Sequence, residues 1–84
     1  MNIYISNINF KAREDGLQEV FSQFGEVSSV KIIKDKETGR SKGFGFVEMP
    51  NDEQGRQAIA QLNGTDYMER NLVVNEARPR EEHN

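Results

Sequence analysis

Phe44 and Phe46 stand two residues apart in the stretch KGFGFVEM, residues 42–49. Successive side chains of a β-strand point to opposite faces, so a strand here places both rings on one face and Val47 on the other. Gly45 leaves that second face thin, which lets another element approach closely. The rings are therefore either buried in a protein core, as phenylalanine usually is, or exposed together on an open sheet face. The rest of the chain decides between these two interpretations.

The length and the residue types restrict the class of protein. Eighty-four residues are enough for one domain with a single modest core. The chain contains no cysteine, which excludes a disulfide framework and a thiolate zinc site. Its apolar runs are too short for a membrane span, and its first residues lack the basic and apolar segments of a secretory signal. We therefore expect a soluble cytoplasmic protein without membrane association.

The charges are unevenly distributed along the chain. The net charge is −3, which by itself argues against a general nucleic-acid binder. Residues 31–42, however, hold five cations and two anions, a balance of +3 that leaves −6 for the rest of the chain. The acidic residues cluster at 14–26 and 52–53 instead. Because the basic segment leads directly into the two phenylalanines, we expect cations and aromatic rings side by side.

Hydrophobic periodicity predicts four strands and two helices. Apolar and β-branched residues indicate strands at 3–6, 27–34, 42–49 and 72–75. Apolar or small residues at i, i+3, i+4 and i+7 indicate helices at 14–24 and 51–62. Residues 35–41 are expected to form a hairpin loop, and residues 65–71 an irregular segment or a short hairpin.

The two predicted helices differ in their end signals. Asn51 is a suitable N-cap for the second helix, with Gln54 as its capping-box partner. The first helix has no Ser, Thr, Asp or Asn before Glu14 that would cap it, and Gly25 is expected to end it.

The predicted order is therefore β-α-β-β-α-β. This order is typical of the split βαβ architecture, an α+β ferredoxin-like sandwich in which two helices cover one face of a four-stranded antiparallel sheet. The face that both helices need for a core carries Ile3, Ile5, Val30, Ile32, Val47, Leu72 and Val74. The opposite face carries Tyr4, Lys31, Ile33, Phe44, Phe46, Val73 and Asn75. No segment remains to cover these rings, and a flat partner that suits them is an unstacked nucleobase.

Residues 42–49 and 3–8 together resemble the two ribonucleoprotein motifs of the RNA recognition motif family. The family octamer reads (K/R)-G-(F/Y)-(G/A)-(F/Y)-V-x-(F/Y), and KGFGFVEM matches seven of its eight positions. Met49 replaces the last aromatic residue, at a position that packs inward and so affects the core more than RNA. The companion hexamer on the first strand is matched by IYISNI. In layout the chain resembles small bacterial members of the family with a single such domain.

The resemblance implies that the open face binds single-stranded RNA. Tyr4 and Phe46 would each stack on a base, Phe44 would contact the intervening sugars, and Lys42 would pair with a phosphate. The rest of the RNA path would be lined by Lys31, Ile33, Arg40, Asn75, Ala77 and Arg78. The implied role is a post-transcriptional regulator or an RNA chaperone that needs no cofactor or metal, and single-stranded DNA is an alternative ligand.

Three other functions compete with RNA binding. A cold-shock domain also places Lys-Gly-Phe-Gly-Phe on a strand, but it is all-β and its aromatic partner strand follows that motif. A protein-interaction module on the same fold would use the acidic face of the first helix, around Glu19 and Glu26. An enzyme is not expected, because the chain has one histidine and no cysteine, and no helix follows the glycines at 39–45 as a phosphate loop requires.

The chain ends in a polar segment. Residues 79–84, PREEHN, show no apolar periodicity, so we expect a domain at 1–78 followed by a short polar tail. His83 belongs to this tail and is interpreted as a solvated residue.

Overall fold

The computed structural model describes residues 1–77, and its elements follow the predicted order with one addition. The strands are β1 (Asn2–Ser6), β2 (Ser29–Lys34), β3 (Ser41–Glu48), β4 (Asp66–Tyr67), β5 (Arg70–Asn71) and β6 (Val73–Ala77). The helices are α1 (Glu14–Ser22) and α2 (Asp52–Leu62). The addition is the β4–β5 hairpin, one of the two alternatives predicted for residues 65–71. Arg78, the predicted tail at 79–84 and His83 lie outside the described residues.

The four longer strands form one antiparallel sheet in the order β2-β3-β1-β6. The two central strands, β1 and β3, are the ones that carry the aromatic residues. Both helices pack on the same face of this sheet, so the predicted split βαβ architecture is confirmed. No helix within residues 1–77 is long and apolar enough to cross a membrane.

The core lies between the helices and one face of the sheet. Its sheet side contains Ile3, Ile5, Ile32, Val47, Leu72 and Val74, and its helix side contains Leu17, Phe21 and Ala58. Val30 is half-buried beside them. Met49 is fully buried, as expected for an inward-packing position. The predicted core face is therefore confirmed.

Several element ends differ from the sequence prediction by one or two residues, since β1 begins at Asn2, β3 spans Ser41–Glu48 and β6 spans Val73–Ala77. α1 ends at Ser22 rather than Phe24, because the N–H of Phe24 donates to the carbonyl of Phe21 over 3.0 Å in a tighter turn. β2 begins at Ser29 rather than Val27, and Val27 packs against the core from the preceding loop. As predicted, the start of α1 has no side-chain cap.

Asn51 caps the start of α2 as predicted, but within residues 1–77 the side chain of Gln54 does not complete the predicted capping box. The Oδ1 of Asn51 accepts a hydrogen bond from the backbone N–H of Gln54 over 2.9 Å. The side chain of Gln54 lies against Gly25, at the place that a Cβ on this glycine would occupy. Gln54 therefore contributes its backbone to the cap and its side chain to the contact between α2 and the loop after α1.

Candidate nucleic-acid interface

Four of the predicted site residues lie in one row across the sheet. Antiparallel pairing aligns Lys31 of β2 with Phe46 of β3. It also aligns Phe46 with Tyr4 of β1, and Tyr4 with Asn75 of β6. Because directly opposed residues point to the same face, all four side chains project from the face opposite the helices. The row presents a cation, two aromatic rings and an amide to one ligand.

Tyr4 is the centre of an aromatic cluster formed with Phe44 and Phe46. Its ring centroid lies 5.5 Å from that of Phe46 and 6.0 Å from that of Phe44, with interplanar angles of 50° and 47°. Tilted rings at such distances attract one another, which holds the cluster in place. Tyr4 and Phe44 are half-buried and Phe46 is 39% exposed, so the open-face interpretation of the rings is confirmed and the core interpretation is wrong.

A bulge in β3 sets the direction of the residues that precede Phe46. It lies between two residue pairs of β2 and β3, Ile32 with Gly45 and Lys34 with Ser41. One residue of β2 therefore faces three residues of β3. Gly43 occupies the bulge with a φ of +85°, in the left-handed region that glycine adopts without strain. Bulges re-aim the side chains around them, and here the neighbours are Lys42 and Phe44.

Three of the other predicted residues flank the row on the strands. Lys42 is exposed beside the bulge, and Ile33 of β2 is half-buried opposite it. Ala77 is half-buried at the end of β6, where it pairs with Asn2. These positions extend the open face from the bulge at one end of the sheet to the end of β6 at the other.

Arg40 lies away from the row. It belongs to the loop between β2 and β3, and it lines a groove together with Phe10 and Lys11 of the loop after β1. Arg78, the last predicted site residue, is outside the described residues. The structure therefore brings most of the predicted residues onto one face and places Arg40 at its end.

The cations of the site form no ion pair within residues 1–77. The ion pair found there joins the ammonium group of Met1 to Asp52, with an N–O distance of 3.5 Å. Lys31, Lys42 and Arg40 form no ion pair with any carboxylate of residues 1–77. Their charges are available for anions such as phosphate groups.

Glu48 is a further residue of the open face that the sequence pattern did not single out. It is exposed, lies two residues beyond Phe46, and pairs with Asn2 and Ser29. Its negative charge repels phosphate at this end of the sheet, so the backbone of a nucleic acid is favoured at the opposite end, near Lys42. Strand alternation alone places Glu48 on the same face as Phe46, which is the signal that could have identified it.

Comparison with known proteins agrees with this geometry. The family model described as RNA recognition motif matches residues 3–73. The chain is 48% identical to RbpD of Nostoc sp., a protein named for RNA binding, over 98% of this chain and 87% of that protein. Its fold is similar to the crystal structure of the RNA binding protein PG1, with a TM-score of 0.92, 46% identity, and coverage of 98% of this chain and 99% of that chain.

A solved complex shows the same fold with RNA. The structure of the Rna15 RRM with bound RNA (GU) superposes with a TM-score of 0.83 at 29% identity, over 93% of this chain and 83% of that chain. The span matched by the family model contains both helices and the whole aromatic cluster. The chain belongs to the RNA recognition motif family.

Proposed function

We propose that this chain binds single-stranded RNA on the open face of its sheet and carries out no chemical reaction. The observation that carries the proposal is the aromatic cluster of Tyr4, Phe44 and Phe46, which lies on the face opposite both helices. Unpaired bases have flat apolar faces and stack on such rings, whereas bases within a duplex are already stacked on each other.

Each ring takes a different part of the RNA in this proposal. Tyr4 and Phe46 lie opposite each other on neighbouring strands, and each stacks on one base. Phe44 lies two residue pairs further along the sheet, and it contacts the sugars that join the two bases. Lys42 is exposed next to Phe44, so its ammonium group pairs with a phosphate of the same stretch.

The ends of the row supply the polar contacts. Lys31 lies beside Phe46 at one end, where it meets a phosphate. Asn75 lies beside Tyr4 at the other end, and its amide offers both donors and an acceptor to a base edge. Ile33, Ala77 and Arg40 extend the path at its margins, and Arg78, which lies outside the described residues, stays a predicted contact.

The proposed cellular role is that of a post-transcriptional regulator or an RNA chaperone in the cytoplasm. Stacking on aromatic rings tolerates many base sequences, which suits a protein that acts on a range of transcripts. The same rings would also stack on single-stranded DNA. A protein partner on the acidic surface of α1 and the loop after it, around Glu19 and Glu26, stays a prediction.

The first test replaces both phenylalanines by leucine, Phe44→Leu/Phe46→Leu. Leucine keeps the apolar bulk and removes the aromatic face, so the fold is expected to persist. We expect affinity for a pool of single-stranded RNA oligonucleotides to fall at least about tenfold, because each stacked base contributes roughly 1–3 kcal/mol. Fluorescence anisotropy measures the affinity, and circular dichroism verifies the fold.

Phe24→Leu is the matched control, since Phe24 packs against the core on the helix side of the sheet. This variant is expected to bind RNA as the wild type does. Equal binding by the wild type and the folded double variant would contradict the proposed use of the rings, and the acidic surface of α1 and the loop after it would then be tested with protein partners.

A further inference from the structure

A second concave surface lies at the end of the sheet where β3 begins. The loop after β1 and the loop between β2 and β3 form a groove of about 680 Å³, a volume typical of small-molecule sites. Its polar and aromatic lining consists of Phe10, Lys11, Arg13, Lys34, Arg40 and Ser41. Only Arg40 of these belongs to the site predicted from the sequence.

Phe10 is the most exposed large apolar side chain in the described part of the chain, at 63%. Its Cε1 atom lies 2.9 Å from the position that a Cβ on Gly43 would occupy, so the ring edge rests on the β3 bulge. The guanidinium carbon of Arg70 lies 5.7 Å from the ring centroid, which is a cation–π distance. The ring is thus supported by two contacts while most of its surface faces solvent.

Hydrogen bonds hold the loop that carries Phe10. The Oδ1 of Asn9 accepts from the N–H of Lys11 over 2.8 Å, and its Nδ2 donates to the carbonyl of Met68 over 2.9 Å. The Nδ2 of Asn7 donates to the carbonyl of Asn71 over 2.7 Å. The loop is therefore tied to the β4–β5 hairpin by two residues that precede Phe10. A ring fixed in its exposed position loses little entropy when a ligand binds.

The charged residues that line the groove are all positive. Four of its lining residues are cations, and none carries a carboxylate. Asp35 is the nearest acid in the sequence to Lys34, and its Oδ1 accepts from the N–H of Glu37 over 2.7 Å within its own loop. A surface that combines an aromatic ring with several cations is complementary to a nucleotide, which has a flat base and an anionic phosphate.

The groove is continuous with the aromatic cluster. Phe10 contacts Gly43, and Gly43 directly precedes Phe44 in β3. We propose that the groove binds the nucleotides that adjoin those on the cluster in the same RNA strand, with a base on Phe10 and phosphates on Lys11 and Lys34. This inference rests on the proposed RNA binding and extends it to a second, adjoining site.

The test compares RNA tetranucleotides, which fit the aromatic cluster alone, with RNA decanucleotides, which also reach the groove. We expect Phe10→Ala to weaken decanucleotide binding about five- to tenfold, the lower part of the range for one stacked base. Tetranucleotide binding is expected to change less than about twofold. Decanucleotides can bind in more registers than tetranucleotides. This statistical factor is the same for every variant, so it cancels when the affinity of a variant is divided by that of the wild type for the same RNA.

A pair of charge variants tests the phosphate contacts. Lys11→Gln/Lys34→Gln removes two groove cations, and Lys36→Gln/Arg56→Gln removes two exposed cations outside the groove lining. The net charge change is identical, so we expect only the first pair to weaken decanucleotide binding more than tetranucleotide binding. Equal effects of the two pairs would show general charge attraction and would overturn the phosphate assignment.

The outcomes for the groove and for the aromatic cluster are separable. If Phe10→Ala affects neither RNA length, or both equally, the groove is not an additional RNA site and the inference is wrong. The variant Phe44→Leu/Phe46→Leu is expected to weaken both lengths. If it weakens neither, the proposed function itself fails, whatever the result at Phe10.

Discussion

At the scale of single residues, Gly45 shows how closely two strands of the site approach. A Cβ at this position would overlap the carbonyl oxygen of Lys31 and lie 3.0 Å from the Cα of Ile32. Both atoms belong to the backbone of β2, so a side chain can be accommodated only if the strands separate. We expect Gly45→Ala to lower the free energy of unfolding by about 1–3 kcal/mol, as overpacking does in protein cores, measured by urea denaturation.

Gly16→Ala is the matched control for this prediction. A Cβ on Gly16 would meet the hydroxyl oxygen of Tyr67 at 2.6 Å, but this atom is the far end of a side chain and can move. Alanine also favours the helix over glycine by about 1 kcal/mol. The control is thus expected to be neutral or stabilising, and equal destabilisation by both substitutions would contradict the assigned role of the β2 backbone.

These residues also show which features of the site could be predicted from the sequence. Alternation predicted the faces of Tyr4, Phe44 and Phe46 correctly, and it predicted a close approach at Gly45. It did not identify the backbone of β2 as the approaching group, because the distance between paired strands depends on register and not on side-chain direction. The positive φ of Gly43 could not be predicted either, since the bulge exists only in the pairing of β3 with β2.

At the scale of elements, Glu14 connects α1 to the edge of the sheet. Its Oε2 accepts a hydrogen bond from the backbone N–H of Ile32 over 2.9 Å. β2 is the outer strand of the sheet, so this N–H points away from β3 and has no strand partner. We expect Glu14→Ala to lower the free energy of unfolding by about 1–2 kcal/mol, because a part-buried donor loses a charged acceptor.

Hydrogen exchange gives the specific measurement for Glu14. The amide of Ile32 is expected to exchange faster in Glu14→Ala, and Glu14→Gln is expected to restore part of its protection because the amide oxygen still accepts. Asp15→Ala is the control, since Asp15 shares the first turn of α1 and, among residues 1–77, its Oδ1 accepts from the neighbouring Gly16 N–H and not from the sheet. Unchanged exchange at Ile32 in Glu14→Ala would show that this bond is absent in solution.

Helix faces were predictable because a stripe of apolar residues is a local pattern, and both stripes required the same side of the sheet. The order of strands in the sheet could not be predicted in this way, and neither could the contact between Glu14 and Ile32. Both depend on contacts between residues that are far apart in sequence. Phe10 was missed for a similar reason. It follows a strand with no periodic pattern around it, and its support comes from Gly43 and Arg70, which only the fold brings near.

At the scale of the whole molecule, the sign of the charge differs between the helix layer and the open face of the sheet. The first turns of α1 and α2 carry acidic pairs, Glu14 with Asp15 and Asp52 with Glu53. The cations of the open face lie on the other layer, and those of the groove lie at the end of the sheet, where Arg13 directly precedes the acidic pair of α1. A net charge of −3 is therefore compatible with RNA binding, because phosphates are repelled by the helix layer and attracted to the sheet. We expect this distribution to orient the RNA before any stacking contact forms.

This distribution predicts a shallow salt dependence. Each phosphate of a single strand that pairs with a cation contributes about −0.7 to the slope of log K against log salt concentration. With three or four such contacts on the cluster and in the groove, we expect a slope of about −2 to −3 for RNA decanucleotides between about 50 and 200 mM salt. Stacking adds affinity without adding to the slope, so binding should persist at the higher concentration.

The measured slope distinguishes stacking from general attraction to a polyanion. A slope near zero would mean that Lys31, Lys42 and the groove cations do not meet phosphates. A slope steeper than about −5 would require about seven or more phosphate contacts, which is more than the six cations of the open face and the groove can make, and would point to binding dominated by charge. The variant Phe44→Leu/Phe46→Leu should keep the wild-type slope while losing affinity, because it removes aromatic rings and leaves every cation in place.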